Sequence, residues 1–400
     1  MRFLLVEHSP AGGLFQWTLQ LADALARLGH EVELLTGRGP ELAARHPGVR
    51  MLPVLPTWHP SAGAALPAPL RRVRRVWRAV RHVEAWRRVV RHVRRTRPDV
   101  VQLSEWRFPV DAWAALAVGR AARAGGRPGL LGDVAHTPVP FTEDGDGGLY
   151  KSGGLLLWSL RRAYAGTDVV LVLGERSREG FVAAFPDAGQ PVVVPHGDEG
   201  IYAGEDPGPA AAGEYLLFFG ALARYKGLDL LLDAVDLVVA RRPGTRVVVA
   251  GPCVDVDLDA LRRRCATVPG VELRAGYVPV ADVPALVAGA RALVTPYLVA
   301  NASGVVHLAH TLRRPVVTTD VGDLAAAVGH GRSGVVCPPG DAAALAAGML
   351  RLLEDPATAT DLGDAGYAAT GDGSAWDDVA GRVAAAYLAQ QRPGAVDVAR

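Results

Sequence analysis

Short apolar runs alternate with helix-patterned segments along nearly the whole 400-residue chain, and this alternation constrains the fold more than any other feature. Runs of four to six residues rich in Val, Leu and Ala are typical of strands buried on both faces, and the amphipathic segments between them are long enough to cross back over a sheet. We therefore predict an α/β protein of parallel sheets wrapped by helices. The predicted strands are 3–6, 32–35, 100–103, 130–133, 169–173 and 192–194 in the first half, and 216–219, 247–250, 271–274, 292–295, 316–318 and 335–337 in the second.

The chain is too long for a single core, so we expect two domains. The stretch 198–213 is rich in Gly, Pro, Ala and acidic residues and is interpreted as the linker. We predict an N-terminal Rossmann-like domain over 1–197, a C-terminal one over 198–375, and a helix in 376–400 that returns to the N-terminal domain. Two such doubly wound domains would face each other across a cleft, with ligands at the carboxyl ends of the strands.

The composition excludes several classes of protein. No apolar run approaches the roughly 20 residues of a membrane span, and the first residues are interpreted as a strand and not as a signal peptide. Cys253, Cys265 and Cys337 have no metal-ligand spacing and fit a reducing compartment. We expect a cytoplasmic protein with no nucleic-acid partner.

One segment is strongly basic. Twelve arginines and a single acid, Glu84, lie between Arg71 and Arg97, and Val and Trp recur there at helical spacing. We call residues 71–97 the basic segment. Two interpretations stay open: a surface for acidic lipid at the inner face of a membrane, or a helix that packs on a sheet and leaves its arginines in solvent.

A lysine stands where the sequence predicts a strand-to-helix loop. Only two of the 43 basic residues are lysines, Lys151 and Lys226, and Lys226 follows an apolar run in the loop 220–227, which also holds Arg224. A compact ammonium at such a corner suits a phosphate whose other contacts come from backbone amides. The alternative is an ordinary exposed lysine.

Three further loops follow predicted strands. Gly12 and Gly13 precede a helix and would let a ligand approach its N-terminal amides. Ser303 is predicted to cap a helix that starts near Gly304, with amides open to an anion. The candidate ligand-binding residues of these loops are Gly12, Gly13, Tyr277, Val278, Asn301, Ser303, Gly304 and Val305.

These loops and their neighbours carry a family resemblance. The segments are Gly12-Gly13 before a helix, Leu28-Gly-His-Glu-Val32, Arg97-Pro-Asp-Val-Val101, Val194-Pro-His-Gly197, Tyr225-Lys-Gly-Leu-Asp229 and Arg314-Pro-Val-Val-Thr-Thr-Asp-Val-Gly322. In this order, from residue 1 to about 355, they resemble the retaining glycosyltransferases of family 4, which have the two-Rossmann-domain architecture called GT-B.

The resemblance implies a reaction and a distribution of roles. A hexosyl unit would pass from a nucleoside diphosphate sugar, bound mainly by the C-terminal domain, to a hydroxyl of a small molecule or glycan bound mainly by the N-terminal domain. Lys226 and Arg224 would neutralise the diphosphate, Tyr277 and Val278 would lie beside the base, and the amides at 303–305 would lie over the distal phosphate. Gly12 and Gly13 are also assigned to donor binding. His136 would lie near the reacting sugar, unless it is a structural loop histidine. No cofactor beyond the sugar nucleotide is expected.

The chain departs from the family where a Glu-x7-Glu pair should stand. Those positions hold Ala300 and Leu308, as in a subgroup without the pair, and Asn301 or Ser303 could supply the missing polar contact. Two alternatives follow: a non-catalytic nucleotide-sugar-binding protein, and a Rossmann oxidoreductase, which the absent Gly-x-Gly-x-x-Gly fingerprint disfavours. Two Asp-x-Asp segments, at 144–146 and 255–259, suggest turns and helix caps, and no metal site is predicted.

Overall fold

The computed structural model describes residues 1–57, 68–104, 106, 108–126, 129–137, 154–202, 209–370 and 375–391. These residues form two compact units, and the chain passes from the first to the second between Pro195 and His196, close to the predicted change after Gly197. Residues 376–391 belong to the first unit.

The first unit contains a parallel sheet flanked by helices. Within the described residues its strands are β1 (Arg2–Val6), β2 (Glu31–Gly37), β3 (Val49–Leu55), β4 (Val100–Ser104), β5 (Leu130–Val134), β6 (Val169–Val172) and β7 (Val192–Val193). Their order across the sheet is β3-β2-β1-β4-β5-β6-β7. Strands β2 and β3 are added on one side of β1, and β4 to β7 on the other, so the strand order switches between β1 and β4. The helices are α1 (Gly13–Arg27), α2 (Ala68–Thr96), α3 (Pro109–Ala122), α4 (Gly154–Tyr164) and α5 (Glu175–Ala184).

The second unit repeats this plan. Its described strands are β8 (Tyr215–Phe219), β9 (Val247–Gly251), β10 (Val271–Ala275), β11 (Ala290–Thr295), β12 (Val316–Thr319) and β13 (Gly334–Cys337), all parallel, in the order β10-β9-β8-β11-β12-β13. The helices are α6 (Leu228–Arg241), α7 (Leu258–Thr267), α8 (Val283–Ala288), α9 (Gly304–Thr311), α10 (Leu324–Ala327), α11 (Ala342–Glu354) and α12 (Pro356–Thr370). The protein is therefore an α/β protein with two doubly wound Rossmann-like units, as predicted.

The last helix, α13 (Ala375–Gln391), packs on the first sheet. Trp376 and Tyr387 are buried in the same core as Phe3 of β1. The Tyr387 hydroxyl donates to Oε1 of Gln102, and a Cβ at Gly132 would lie 1.7 Å from that hydroxyl oxygen. Gly132 is therefore required at this point of β5, because any side chain there would displace the helix.

One strand was missing from the prediction. β3 is an edge strand, only partly buried, and it carries Arg50 and Pro53. No described strand pairs with its outer edge, so proline and exposed polar residues are tolerated there. The apolar signal that marks a central strand is therefore absent.

The basic segment, which lies within α2, packs on the first unit in one half and is exposed in the other. In the C-terminal half of the helix, Trp86, Val89 and Val93 are buried in the core of the first unit. Nearer the N-terminus, Trp77 and Val80 are exposed. None of the helices in the described stretches is long and apolar enough to cross a membrane.

Candidate active site

The turn that carries Lys226 is locked against a neighbouring loop. After the apolar strand β8, residues 224–226 form one turn of 3₁₀ helix, which ends at Gly227 with φ +67°. The amide of Leu298 donates to the carbonyl of Tyr225 at 2.8 Å, and a Cβ at Gly227 would lie 1.9 Å from the carbonyl oxygen of Pro296. Glycine is needed for both the left-handed conformation and the close approach.

Lys226 is a buried cation. Its side chain is 8% exposed, and Nζ donates to the hydroxyl of Tyr297 at 3.0 Å. Burial disfavours the ammonium, but the hydroxyls of Tyr297 and Tyr225 favour it more, so the pKa of Lys226 lies above its ordinary value. In the described part of the chain no carboxylate forms an ion pair with it. A buried charge without a counter-ion is costly, so this arrangement favours an anionic ligand.

The N-terminus of α9 opens toward the same place. Ser303 is its N-cap residue, but its hydroxyl lies 3.4 Å from that of Tyr297 and accepts no bond from the helix amides. The amides of Gly304 and Val305 have no hydrogen-bond partner among the described residues. Helix amides that lack partners, together with the helix dipole, attract anions.

Gly220 shows how close these groups are. A Cβ on this residue would lie 3.0 Å from Nζ of Lys226 and 3.7 Å from Cγ2 of Val305, so the cation and the first turn of α9 border one small space. Glycine keeps that space open. One ammonium and two unpartnered amides around it can hold a phosphate group by charge-assisted hydrogen bonds.

Three other predicted donor-site residues, Arg224, Tyr277 and Val278, do not point into this space. Arg224 is exposed; its amide donates to Oδ1 of Asp255 at 3.0 Å, and its guanidinium forms no ion pair within the described chain. Tyr277 and Val278 are half-buried in the loop after β10 and line a cavity of about 960 Å³ along that edge strand. The structure therefore brings Lys226, Ser303, Gly304 and Val305 together and leaves Arg224 in solvent.

The positions of the absent glutamates are apolar and buried. Ala300 and Leu308 are 9% and 3% exposed and belong to the cores of the second unit. Asn301, next to Ala300, has a buried Nδ2 that finds no partner in the described regions. A buried donor without a partner costs free energy, so Asn301 is suited to hold an oxygen of a ligand.

Two histidines and a carboxylate border the first turn of α9, and the sequence did not single them out as a group. The rings of His196 and His307 stack with centroids 4.3 Å apart, and burial lowers the pKa of both. A Cβ at Gly304 would lie 3.4 Å from Nε2 of His196 and 3.1 Å from Oε1 of the buried Glu199. This close approach explains the glycine at the start of the helix.

In the first unit, the Gly12–Gly13 turn starts α1 as predicted. The amide of Gly12 donates to Oε1 of Glu41 at 2.7 Å, and Gln16 donates to the same oxygen at 2.9 Å. An internal carboxylate therefore occupies part of this helix N-terminus, whereas Gly13 is exposed. Nothing in the sequence marked Glu41, which lies 29 residues from Gly12.

His136 lies just beyond the carboxyl end of β5, in the first unit. Its amide donates to the carbonyl of Val134, and its half-buried ring meets the edge of Trp17 on α1, with centroids 5.2 Å apart. A loop histidine at a strand end, held by an aromatic ring, suits either a catalytic or a structural role.

The Asp-x-Asp segment at 255–259 serves local structure. Asp257 caps α7 by accepting from the amides of Asp259 and Ala260, and Asp259 pairs with Arg262. Asp255 accepts from the amide of Arg224. No cluster of three or more metal-ligating side chains occurs within the described residues, and the segment 144–146 lies outside them.

Comparison with known proteins identifies the class. Residues 11–197 match the sequence model of Glycosyltransferase Family 4, and residues 213–355 match that of Glycosyl transferases group 1. The chain is 26% identical to glycogen synthase of Mycobacterium tuberculosis over 436 aligned positions, covering 98% of this chain and 95% of that one.

Two solved structures have a similar fold. Sucrose-phosphate synthase from Thermosynechococcus elongatus aligns with a TM-score of 0.70 and 21% identity, over 97% of this chain and 98% of that one. HepE of Anabaena, solved with UDP-glucose, aligns with a TM-score of 0.67 and 17% identity, over 97% and 98%. The fold and the family matches together identify a glycosyltransferase with the GT-B fold. The chain therefore contains a Glycosyltransferase Family 4 domain followed by a Glycosyl transferases group 1 domain.

Proposed function

We propose that this enzyme transfers a hexosyl unit from a nucleoside diphosphate sugar to a hydroxyl of a small molecule or glycan, with retention of the anomeric configuration. The observation that carries the proposal is the buried ammonium of Lys226, which has no carboxylate partner in the described chain and borders the open N-terminus of α9. A diphosphate would supply the missing counter-charge. UDP sugars are the first donors to test, because HepE was solved with UDP-glucose.

Catalysis of this reaction requires mainly that the negative charge on the leaving diphosphate be stabilised and that donor and acceptor be held in position. The bond between the anomeric carbon and the diphosphate oxygen breaks, and the acceptor oxygen bonds to that carbon on the same face while its proton passes to the leaving phosphate oxygen. Negative charge grows on the leaving diphosphate, where Lys226 and the amides of Gly304 and Val305 would stabilise it. Because these groups are fixed before the reaction, little reorganisation is needed.

The donor sugar and base need further contacts. We propose that Asn301, with its buried unpartnered amide nitrogen, holds a sugar hydroxyl in place of the glutamate that Ala300 replaces. Tyr277 and Val278 would contact the base through their backbone. Arg224 would have to turn from solvent to reach a phosphate, and we assign it a secondary role.

We propose that the first unit binds the acceptor and that His136 assists turnover. Gly13, exposed at the start of α1, would approach the substrate, whereas Gly12 would have to give up its bond to Glu41. The reaction would need no cofactor beyond the sugar nucleotide. We also propose that the protein is cytoplasmic and that its basic segment contacts the inner face of the membrane. The segment has twelve arginines and one acid, which suits an anionic lipid surface.

The enzyme should work in the presence of a chelator. The diphosphate charge is assigned to Lys226 and the α9 N-terminus, so no divalent ion is required. Initial rates with and without EDTA, on protein dialysed against chelator, should agree within about twofold. Loss of activity that magnesium or manganese restores would contradict the assignment and direct attention to the Asp-x-Asp segments.

The product should keep the configuration of the donor, although Ala300 and Leu308 replace the acidic pair. The proton transfer described above uses the leaving phosphate and not a protein carboxylate, so the pair is not essential. The coupling constant of the anomeric proton in the NMR spectrum of the product decides between retention and inversion. An inverted product would refute the proposed mechanism.

The His136→Ala variant should lower kcat by about 100-fold, the lower end of the range for a positioned side chain that assists proton transfer, and leave donor affinity unchanged. Trp17→Phe serves as its control, because it changes the ring that packs on the histidine and keeps the imidazole. Full activity of His136→Ala would remove only the role given to this histidine.

A further inference from the structure

The first unit exposes an unusual cluster of aromatic and aliphatic side chains on three neighbouring helices. Trp113 of α3 and Trp158 of α4 are 43% and 50% exposed, and their rings lie 5.5 Å apart. Half of the large apolar side chains that are exposed in the described chain lie on or beside α2, α3 and α4: Val76, Trp77, Val80, Phe108, Trp113, Leu155 and Trp158. Exposed patches of this kind mark interaction sites.

Arginines without partners lie beside this cluster. Arg87, Arg91 and Arg94 follow one another on successive turns of α2 and are exposed, and their side chains make no ion pair or hydrogen bond with any described residue. Other arginines of the helix are engaged; Arg81 and Arg88, for example, pair with Glu84.

A groove joins the two features. Between α2 and α3 lies a mainly apolar cavity of about 510 Å³, lined by Val83, Val90, Val110 and Trp113 and bordered by the three unpaired arginines. A cavity of this size suits part of a small amphipathic ligand. The arginines would meet an anionic group, and the valines and tryptophan an apolar chain.

The charges on α2, α3 and α4 favour an anionic partner. Glu84 is the one acid of α2 and is held by two arginines, Asp111 of α3 is buried, and α4 has no acid. The described residues of these three helices therefore offer positive charge and exposed tryptophan, and among them there is no unpaired exposed carboxylate. Tryptophan and arginine together are typical of surfaces at the boundary between lipid headgroups and acyl chains.

We propose that the α2–α3 groove binds an anionic phospholipid, with the lipid phosphate on Arg87, Arg91 and Arg94 and the acyl chain along Trp113, and that α2, α3 and α4 dock on the membrane by this face. The proposal rests on the membrane contact suggested above for the basic segment and narrows it to a defined groove. It is independent of donor binding, which belongs to the second unit.

The test is sedimentation of the full-length protein with vesicles of phosphatidylcholine alone or with phosphatidylglycerol added. Wild-type protein should bind only the anionic vesicles, less tightly as salt rises. The triple variant Arg87→Gln, Arg91→Gln, Arg94→Gln should bind about a hundredfold more weakly, since each basic residue near such a surface contributes about 1 kcal/mol. The control variant Arg263→Gln, Arg332→Gln, Arg351→Gln makes the same charge change on exposed positions of the second unit and should bind as wild type does.

The double variant Trp113→Ser, Trp158→Ser should lose at least about tenfold in vesicle binding and keep the nucleotide-induced rise in melting temperature. If the triple arginine variant binds vesicles as tightly as wild type, the groove is not the site, although the basic segment could still contact the membrane. If wild-type protein does not bind anionic vesicles at low salt, both the groove as a lipid site and the membrane contact of the basic segment are wrong. If wild-type protein binds heparin tightly and the tryptophan variant binds it equally well, the partner of this face is a soluble polyanion and not a membrane.

Discussion

Replacing Lys226 by alanine should weaken nucleoside diphosphate binding about 10- to 100-fold and leave nucleoside binding unchanged. A charge-assisted hydrogen bond contributes about 1.5–3 kcal/mol, and the Lys226 ammonium is buried with only the Tyr297 hydroxyl as its hydrogen-bond partner among the described residues. Calorimetric titration with UDP and uridine, or with whichever nucleotide raises the melting temperature most, measures both affinities.

Two companion variants separate charge from packing. Lys226→Met keeps much of the aliphatic stem and should lose as much diphosphate affinity as alanine does while melting closer to wild type. Lys226→Arg should not restore binding fully, because a planar guanidinium does not fit the small space between Gly220 and Tyr297. Equal losses for nucleoside and diphosphate would show that the lysine is structural.

Replacing Gly227 by alanine should destabilise the second unit by about 3 kcal/mol, lowering its melting temperature by about 6–12 °C. The residue has φ +67°, and a Cβ there would lie 1.9 Å from the carbonyl oxygen of Pro296. The turn and the 296–299 loop would have to separate. Diphosphate affinity should fall as well, because Lys226 is on that turn and Tyr297 is on that loop.

Gly244→Ala is the matched control. Gly244 has φ +83°, but nothing lies within 4 Å of a Cβ there. It therefore reports the cost of the left-handed conformation alone, about 1 kcal/mol or about 2–4 °C, with nucleotide binding intact. Equal decreases in melting temperature for the two variants would show that the loop at Pro296 moves away from the new Cβ without loss of stability. The turn at Gly227 would then not be locked against that loop.

The predicted strands correspond closely to the observed ones wherever a strand is covered on both faces. β1, β4, β8 and β11 are the inner strands next to the point where the strand order of each sheet reverses, and most of their residues are apolar. Burial on both faces strongly favours apolar residues, so the signal is local. The same reasoning missed β3, because an edge strand with Arg50 and Pro53 has one exposed side and no such constraint.

The candidate site was predictable in part. Lys226, Ser303 and Gly304 stand out locally, as a rare lysine at a strand end and as a cap before a helix. Tyr297, the residue that connects them through its hydroxyl, lies 71 residues from Lys226 and has no local signature. The stacked His196–His307 pair is equally invisible, because it forms only when the segment after β7 packs against α9.

The sequence by itself determined the α/β class, the two-unit organisation and the loops that hold the proposed anion-binding groups, because apolar periodicity, glycine and proline act on neighbouring residues. Only the tertiary structure decided which groups meet: Glu41 on the amide of Gly12, Tyr387 against Gly132, and Tyr297 on Lys226. It also decided that α2 is buried in one half and exposed in the other. Periodicity reports that a helix has an apolar face, but what covers that face depends on strands and helices far away in the chain.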